Sequence, residues 1–109
     1  MKLFITSLFF LLIHPALKAQ GNADAVIGKW KSDNGRLIVE IYKSGNKYYG
    51  KIDWLYIQID PETGKPRTDV ENPDASKRNV PLIGLVVLKN FEFKDGFWQN
   101  GTVYNSQNG

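Results

Sequence analysis

The stretch KYYGKIDWLYI, residues 47–57, decides how the rest of the chain is read. Tyr48, Ile52, Trp54 and Tyr56 fall on one parity and Lys47, Lys51 and Asp53 on the other, the period-two pattern of a half-buried antiparallel strand. Upstream, RLIVEIYK (36–43) repeats the pattern, with Leu37, Val39 and Ile41 on one face and Arg36 and Glu40 on the other. The turn formers SGN (44–46) join the two strands. AVIGKWK (25–31) precedes them across SDNG (32–35), whose Asn34-Gly35 pair favours the left-handed backbone of a tight hairpin. The first three strands therefore read as a meander.

Downstream, QIDPETGKPRTDVENPDASKRNVP (58–81) breaks the rhythm with four prolines and five carboxylates. Loops longer than about 12–15 residues tend to be functional or mobile. A helical turn is expected near Asn72, with Pro73 at its first position and Asp74 near the positive end of the dipole. LIGLVVLKNFEF (82–93) resumes as strand. Leu85, Val87, Phe91 and Phe93 share a parity that Lys89 interrupts, which predicts a bulge near Lys89-Asn90. Asp95-Gly96 turns the chain into FWQNGTVY (97–104), where Gly101 marks a second bulge or a close backbone approach. The chain ends on GTVYNSQNG (101–109), a strand followed by the hairpin formers Asn108-Gly109, so the expectation is a cut before the returning strand.

At the other end, residues 1–19 combine Lys2, an apolar run from Leu3 to Ile13, Pro15 and a small Ala19. This is the layout of a secretory signal peptide, and the run is too short for a membrane-spanning helix. Cleavage is expected after Ala19, with residues 20–109 forming a single β domain in the periplasm or outside the cell. Removing residues 1–19 leaves 90 of the 109 residues and, with Lys2 and Lys18 gone, takes the net charge from +3 to +1. A nearly neutral chain has no electrostatic reason to seek nucleic acid or an anionic membrane. There is no cysteine, and the only histidine, His14, lies in the leader. Ser-His-Asp and Cys-His nucleophiles and zinc sites built on those ligands are thus excluded from the mature chain, and no cofactor or metal is expected. Asp60 and Glu62 lack the spacing of a calcium loop.

Eleven aromatics remain: Trp30, Trp54, Trp98, Tyr42, Tyr48, Tyr49, Tyr56, Tyr104, Phe91, Phe93 and Phe97. In a small barrel, inward aromatics both form the core and line any cavity. Carboxylates could pair for acid/base work, and Asp53, Asp69, Glu71 and Asp74 are the candidates. Asp53, however, shares the parity of the lysines and reads as a surface ion-pair partner.

Three stretches, VIGKWKSDNGRLIVEIYKSGNKYYGKIDWL, NPDASKRNVPLIGLVVLKNF and GFWQNGTVYNSQNG, resemble the bacterial family called domain of unknown function 2147 over residues 24–109. The family's opening glycine and tryptophan fall on Gly28 and Trp30, and its central strand motif on Gly50, Lys51, Asp53 and Trp54. Its loop motif falls on Asn72, Pro73, Asp74 and Arg78, and its next strand entry on Pro81, Leu82 and Gly84. The resemblance implies a small exported protein with a lipocalin-like barrel and no established activity. GKW (28–30) is also similar to the lipocalin signature in which the tryptophan closes the barrel's end. One departure is Val80, where the family usually has a second arginine, so an anion held jointly by that arginine and Arg78 would bind poorly here. The alternative is that Arg78 only pins the loop.

The expected fold is all-β, an antiparallel meander forming a lipocalin-like β-barrel, incomplete in this chain, with one long loop. About five strands are legible, whereas closing a small barrel takes about eight, and an open edge at 97–104 invites self-association. The expected function is non-enzymatic binding of a small apolar or amphipathic molecule. Trp30, Tyr48, Trp54, Tyr56, Trp98 and Tyr104 are its expected cup, and Asn72, Asp74 and Arg78 its polar rim. The alternatives are an envelope module that binds glycan or protein through exposed aromatics and a carboxylate-dependent hydrolase. The exposure of Trp54 and Tyr49 separates the first from the second.

Overall fold

The computed structural model describes residues 2–3 and 23–107. The expected cleavage after Ala19 and the Asn108-Gly109 turn lie outside the described residues. Seven strands are described: β1 (Lys2–Leu3), β2 (Gly28–Lys31), β3 (Leu37–Ser44), β4 (Lys47–Leu55), β5 (Val86–Lys94), β6 (Phe97–Gln99) and β7 (Thr102–Val103). Two 3-10 turns, Ala23–Val26 and Ala75–Lys77, are the only helical elements among the described residues. The strands form one sheet in the order β1-β2-β3-β4-β5-β6, with β7 also on β5. Apart from β1, which lies parallel to β2 at Trp30 and Lys31, every pairing is antiparallel. The result is an all-β meander curled into a half-barrel whose concave face carries the core. The outer edge of β6–β7 has no strand partner among the described residues.

The alternating pattern of β4 holds only as far as Ile52. Val39 pairs with Ile52, but Ile38 pairs with Trp54, so Asp53 is an extra residue in the ladder. Because side chains alternate, one added residue exchanges the faces beyond it. Leu55 therefore turns inward opposite Leu37 and is buried, while Trp54 turns to the outer face opposite Ile38. The shared face expected for Tyr48, Ile52, Trp54 and Tyr56 thus ends at Ile52, and Tyr56 is 66% exposed.

The bulge expected near Lys89-Asn90 is present. Tyr48 pairs with Phe91 and Gly50 with Leu88, so Tyr49 faces both Lys89 and Asn90, and Asn90 has φ 62°. A second extra residue, Val87, follows because Lys51 pairs with Val86, and Val87 and Leu88 are both buried as a result. Strand 97–104 is interrupted opposite Asn90-Phe91, at Asn100 (φ 65°) and Gly101. There the Phe91 ring lies against Gly101 so closely that a Cβ would come within 2.3–2.5 Å of its carbons.

The core joins Val26, Trp30, Val39, Ile41, Tyr48, Ile52 and Leu55 to Leu82, Val87, Leu88, Phe91 and Trp98. Leu82 comes from the long loop, which is held to the sheet by Gly84 N–H donating to Ile52 O (2.7 Å) and Ile52 N–H donating to Leu85 O (2.9 Å). Within the loop, bridges Ile59–Pro66 and Thr68–Pro81 make two short antiparallel ribbons. The expected helical turn appears two residues later than the proline suggested, at Ala75 rather than Pro73. Asp74 is its N-cap, with extended backbone and a carboxylate accepting from Ser76 N–H (3.0 Å), which is the role that favours Asp before a helix. Among the described residues no helix is long and apolar enough to cross a membrane.

Candidate functional site

The half-barrel has two different ends. At the β3–β4 turn it is closed. The first 3-10 turn crosses there, anchored by the Trp30 indole N–H donating to Val26 O at 2.8 Å. The Tyr48 hydroxyl donates to the Asp24 carboxylate, which also meets Lys43 Nζ at 3.3 Å. That hydrogen bond, helped by Lys43, holds the Asp24 carboxyl below its ordinary range, while burial and the adjacent carboxylate push the Tyr48 phenol up. Trp98 packs between Tyr48 (ring centroids 4.7 Å) and Phe93 (4.9 Å). The residual space among Val26, Ile41, Tyr48, Leu88, Phe91 and Trp98 is about 10 Å³, room for one water at most. The Trp98 indole N–H has no hydrogen-bond partner among the described residues.

At the β2–β3 turn the concave face opens into a groove of about 750 Å³. Leu37, Ile52, Leu55 and Leu82 give it an apolar floor, and Tyr56, Ile57 and Pro61 an apolar wall. Its polar groups come from the turn (Ser32, Asn34, Arg36), the loop (Asp60, Arg67) and the last described residues, Ser106 and Gln107. A second recess of about 310 Å³ adjoins it past Arg67, adding Thr68, Val70 and Glu71. The groove exists because the bulge at Asp53 turns Leu55 inward while the chain leaves the sheet at Tyr56.

The nine residues expected to bind ligand are distributed over three settings. Trp30, Tyr48 and Trp98 are buried in the packed closed end. Trp54 lies half-buried on the outer face, edge-to-face with Tyr56 (6.4 Å), and Tyr56 is the one of the nine that lines the groove. Tyr104 and the loop residues form a latch. The Tyr104 hydroxyl donates to Asp69, whose two carboxylate oxygens lie 3.0 and 2.9 Å away, and Asn72 Nδ2 donates to Asp69 Oδ2 at 2.9 Å. Asp69 is only 1% exposed, the sole buried charged residue among those described. Burial and the neighbouring carboxylates raise the Tyr104 phenol above its ordinary range. Arg78 Nε donates to Asn72 O at 2.7 Å, so Arg78 pins the loop through a carbonyl. The Asp74 carboxyl is held low by the Ser76 hydroxyl and backbone N–H.

Three of the four carboxylates weighed for catalysis are likewise engaged, and the fourth, Glu71, is exposed on the wall of the second recess. Asp53 pairs with Lys29 at 3.1 Å, as its parity suggested, Asp69 is enclosed by the latch, and Asp74 caps a turn. Among the described residues no group of three or more His, Cys, Asp or Glu side chains is placed to hold a metal.

Arg36 and Arg67 are groove residues that the sequence did not single out. Two backbone contacts bring them to the same dipeptide: Tyr56 N–H donates to Arg36 O at 2.9 Å, and Arg67 Nη1 donates to Ile57 O at 3.1 Å. Arg36 lies in the bend before β3 and Arg67 inside the long loop, so strand alternation held no signal for them.

A family model described as an uncharacterized protein conserved in bacteria (DUF2147) matches residues 28–109. No curated protein and no solved structure matches the chain.

Proposed function

Within the DUF2147 family of bacterial proteins, to which the chain belongs, we propose that this member is an exported, non-enzymatic binding protein for a small amphipathic molecule. The observation that carries the reading is the groove of about 750 Å³ whose lining joins Leu37, Ile52, Leu55 and Leu82 to polar groups of the turn and the loop. That size is usual for sites that hold small molecules, and a lining that mixes apolar and polar groups suits an amphipathic one. The reading moves the site from the aromatic cup toward the β2–β3 turn. The closed-end aromatics Trp30, Tyr48 and Trp98 hold the shape of the half-barrel, and Tyr56, Ile57 and Leu55 receive the ligand. Asn72, Asp74 and Arg78 act indirectly, by setting the loop that forms one wall.

The layout of residues 1–19 supports export, with Gln20 as the first mature residue. Full-length protein purified from its own host and extracted with organic solvent is expected to release one recurrent amphipathic species by mass spectrometry. Repeatedly empty extracts, from protein whose groove also fails to bind added amphiphiles, would sink the reading.

A second reading draws on the outer face. Tyr42 and Tyr49 stack there at 5.7 Å, and Trp54 is half-buried beside them in sequence. Outward aromatics suit a glycan- or protein-binding surface, and loss of glycan binding in Trp54→Ala with amphiphile binding intact would favour it.

A further inference from the structure

We infer that the groove takes a single-chain amphiphile with an anionic headgroup, and that Arg36 and Arg67 recognise the headgroup. The inference rests on the binding reading above and adds the charge class of the ligand. Arg36, just before β3, and Arg67, in the long loop, both line the groove and are tied to Tyr56-Ile57, one through its carbonyl and the other through its guanidinium. Four ion pairs are formed among the described residues, by Lys29, Lys43, Lys47 and Lys51, and neither arginine takes part in one.

The one acid among the groove's lining residues, Asp60, spends Oδ1 on the Glu62 N–H at 2.8 Å, closing its own turn, and Glu71 lies in the adjoining recess. Arg67 spends one N–H on Ile57 O and keeps the rest of its planar fork for a carboxylate or phosphate. Leu37, the residue after Arg36, faces Leu55 on the floor. Both arginines line the same groove as Leu37, Leu55 and Ile52, which gives a chain attached to a headgroup there an apolar path. Charge complementarity and this path together select an anionic amphiphile over a neutral or cationic one. The pair is distinct from the Arg78 position, whose guanidinium is committed to Asn72 O.

The test is calorimetric titration of the full chain with decanoate, decyl phosphate, decanol and decyltrimethylammonium, each below its micelle concentration. Both anions are expected to bind about tenfold more tightly than decanol, the worth of one good charge-assisted hydrogen bond, and the advantage should shrink with added salt. Either order between decanoate and decyl phosphate supports the inference and separates a fatty acid from a phosphorylated lipid. Arg36→Gln, which removes no side-chain hydrogen bond of the fold, should lower anion affinity about tenfold and leave decanol unchanged. Arg36→Lys should recover part of it, and Arg67→Gln gives a second arm, with circular dichroism confirming that each variant is folded.

Decanol binding as tightly as the anions would overturn the headgroup assignment and leave the groove reading standing. If nothing in the series binds, the groove reading fails and this inference with it. Anion binding untouched by both arginine substitutions would overturn the assignment to these residues. A stable dimer by light scattering that binds no amphiphile would show a second copy in the groove, and would overturn it as well.

Discussion

Tyr48 joins three parts of the chain: its own strand, the first 3-10 turn through its hydroxyl on Asp24, and the end of β3 through Lys43, whose ammonium lies 5.4 Å from the Tyr48 ring centroid. The direction of the pH dependence follows from the shifts. Asp24 is depressed from its ordinary 3.8, so its contribution is complete above that value and is lost as pH falls through the lower folded-state value. Tyr48 is raised from 10.0, so its contribution is complete below that pH and is lost as pH rises through the higher folded-state value. Tyr48→Phe should therefore lower stability on the neutral plateau by about 1–2 kcal/mol, toward the low end for a hydrogen bond to a charged group because the Asp24 side chain is exposed. It should also flatten both the acid and the alkaline limbs. Urea midpoints measured across pH check this, and unchanged limbs in the variant would count against the cluster as their source. Part of the cluster was visible in the sequence, since Tyr48 falls on the inward parity. Its partners Asp24 and Lys43 were not, because pairs 24 and 19 positions apart along the chain meet only once the sheet curls.

Among the elements, β5 and the β6–β7 segment meet at one close backbone approach. Asn90 and Asn100 take left-handed backbone on facing strands, and Phe91 covers the strip left bare by Gly101. A side chain at 101 has nowhere to go, since the atoms it would meet belong to a rigid ring in the core. Gly101→Ala is expected to cost about 2–3 kcal/mol, toward the upper end for overpacking. Gly50→Ala should cost less, because its nearest neighbour is the movable Cδ1 of Leu88 at 2.7 Å. A double-mutant cycle with Phe91→Leu measures the coupling. Additivity of Gly101→Ala and Phe91→Leu in denaturant unfolding would show that the ring is not what excludes the methyl. The break at Lys89-Asn90 and the special role of Gly101 were legible, because a charged residue in an apolar parity and a glycine inside a strand are both local signals. The bulge at Asp53 was not, since KIDWLY keeps its alternation in the sequence and the extra residue is defined only by the partner strand.

For the molecule as a whole, the latch between Tyr104 and Asp69 ties the last strand segment to the long loop, and the loop in turn supplies Leu82 and Arg67 to the groove. Tyr104→Phe removes the hydroxyl from a carboxylate that is 1% exposed and leaves it Asn72 as its remaining side-chain donor. The expected loss is about 1–3 kcal/mol, the cost of an under-satisfied buried polar group. Amide exchange should also quicken at Asp69 and Leu82, whose N–H groups donate to Val80 O and Arg67 O. Hydrogen-exchange mass spectrometry reads this directly. Faster exchange confined to residues near Tyr104, with the loop unaffected, would show that the latch does not hold the loop.

The sequence by itself determined the all-β class, the meander, the punctuation of its turns, the single long loop and the family. Each of these is written in the order of neighbouring residues, as a period of two, a turn pair or a motif. Only the tertiary structure decided which aromatics fill the closed end, which face Trp54 takes and where the groove opens. Those depend on strand register and on residues far apart in the chain, and one inserted residue at Asp53 was enough to move the apolar face from Trp54 to Leu55.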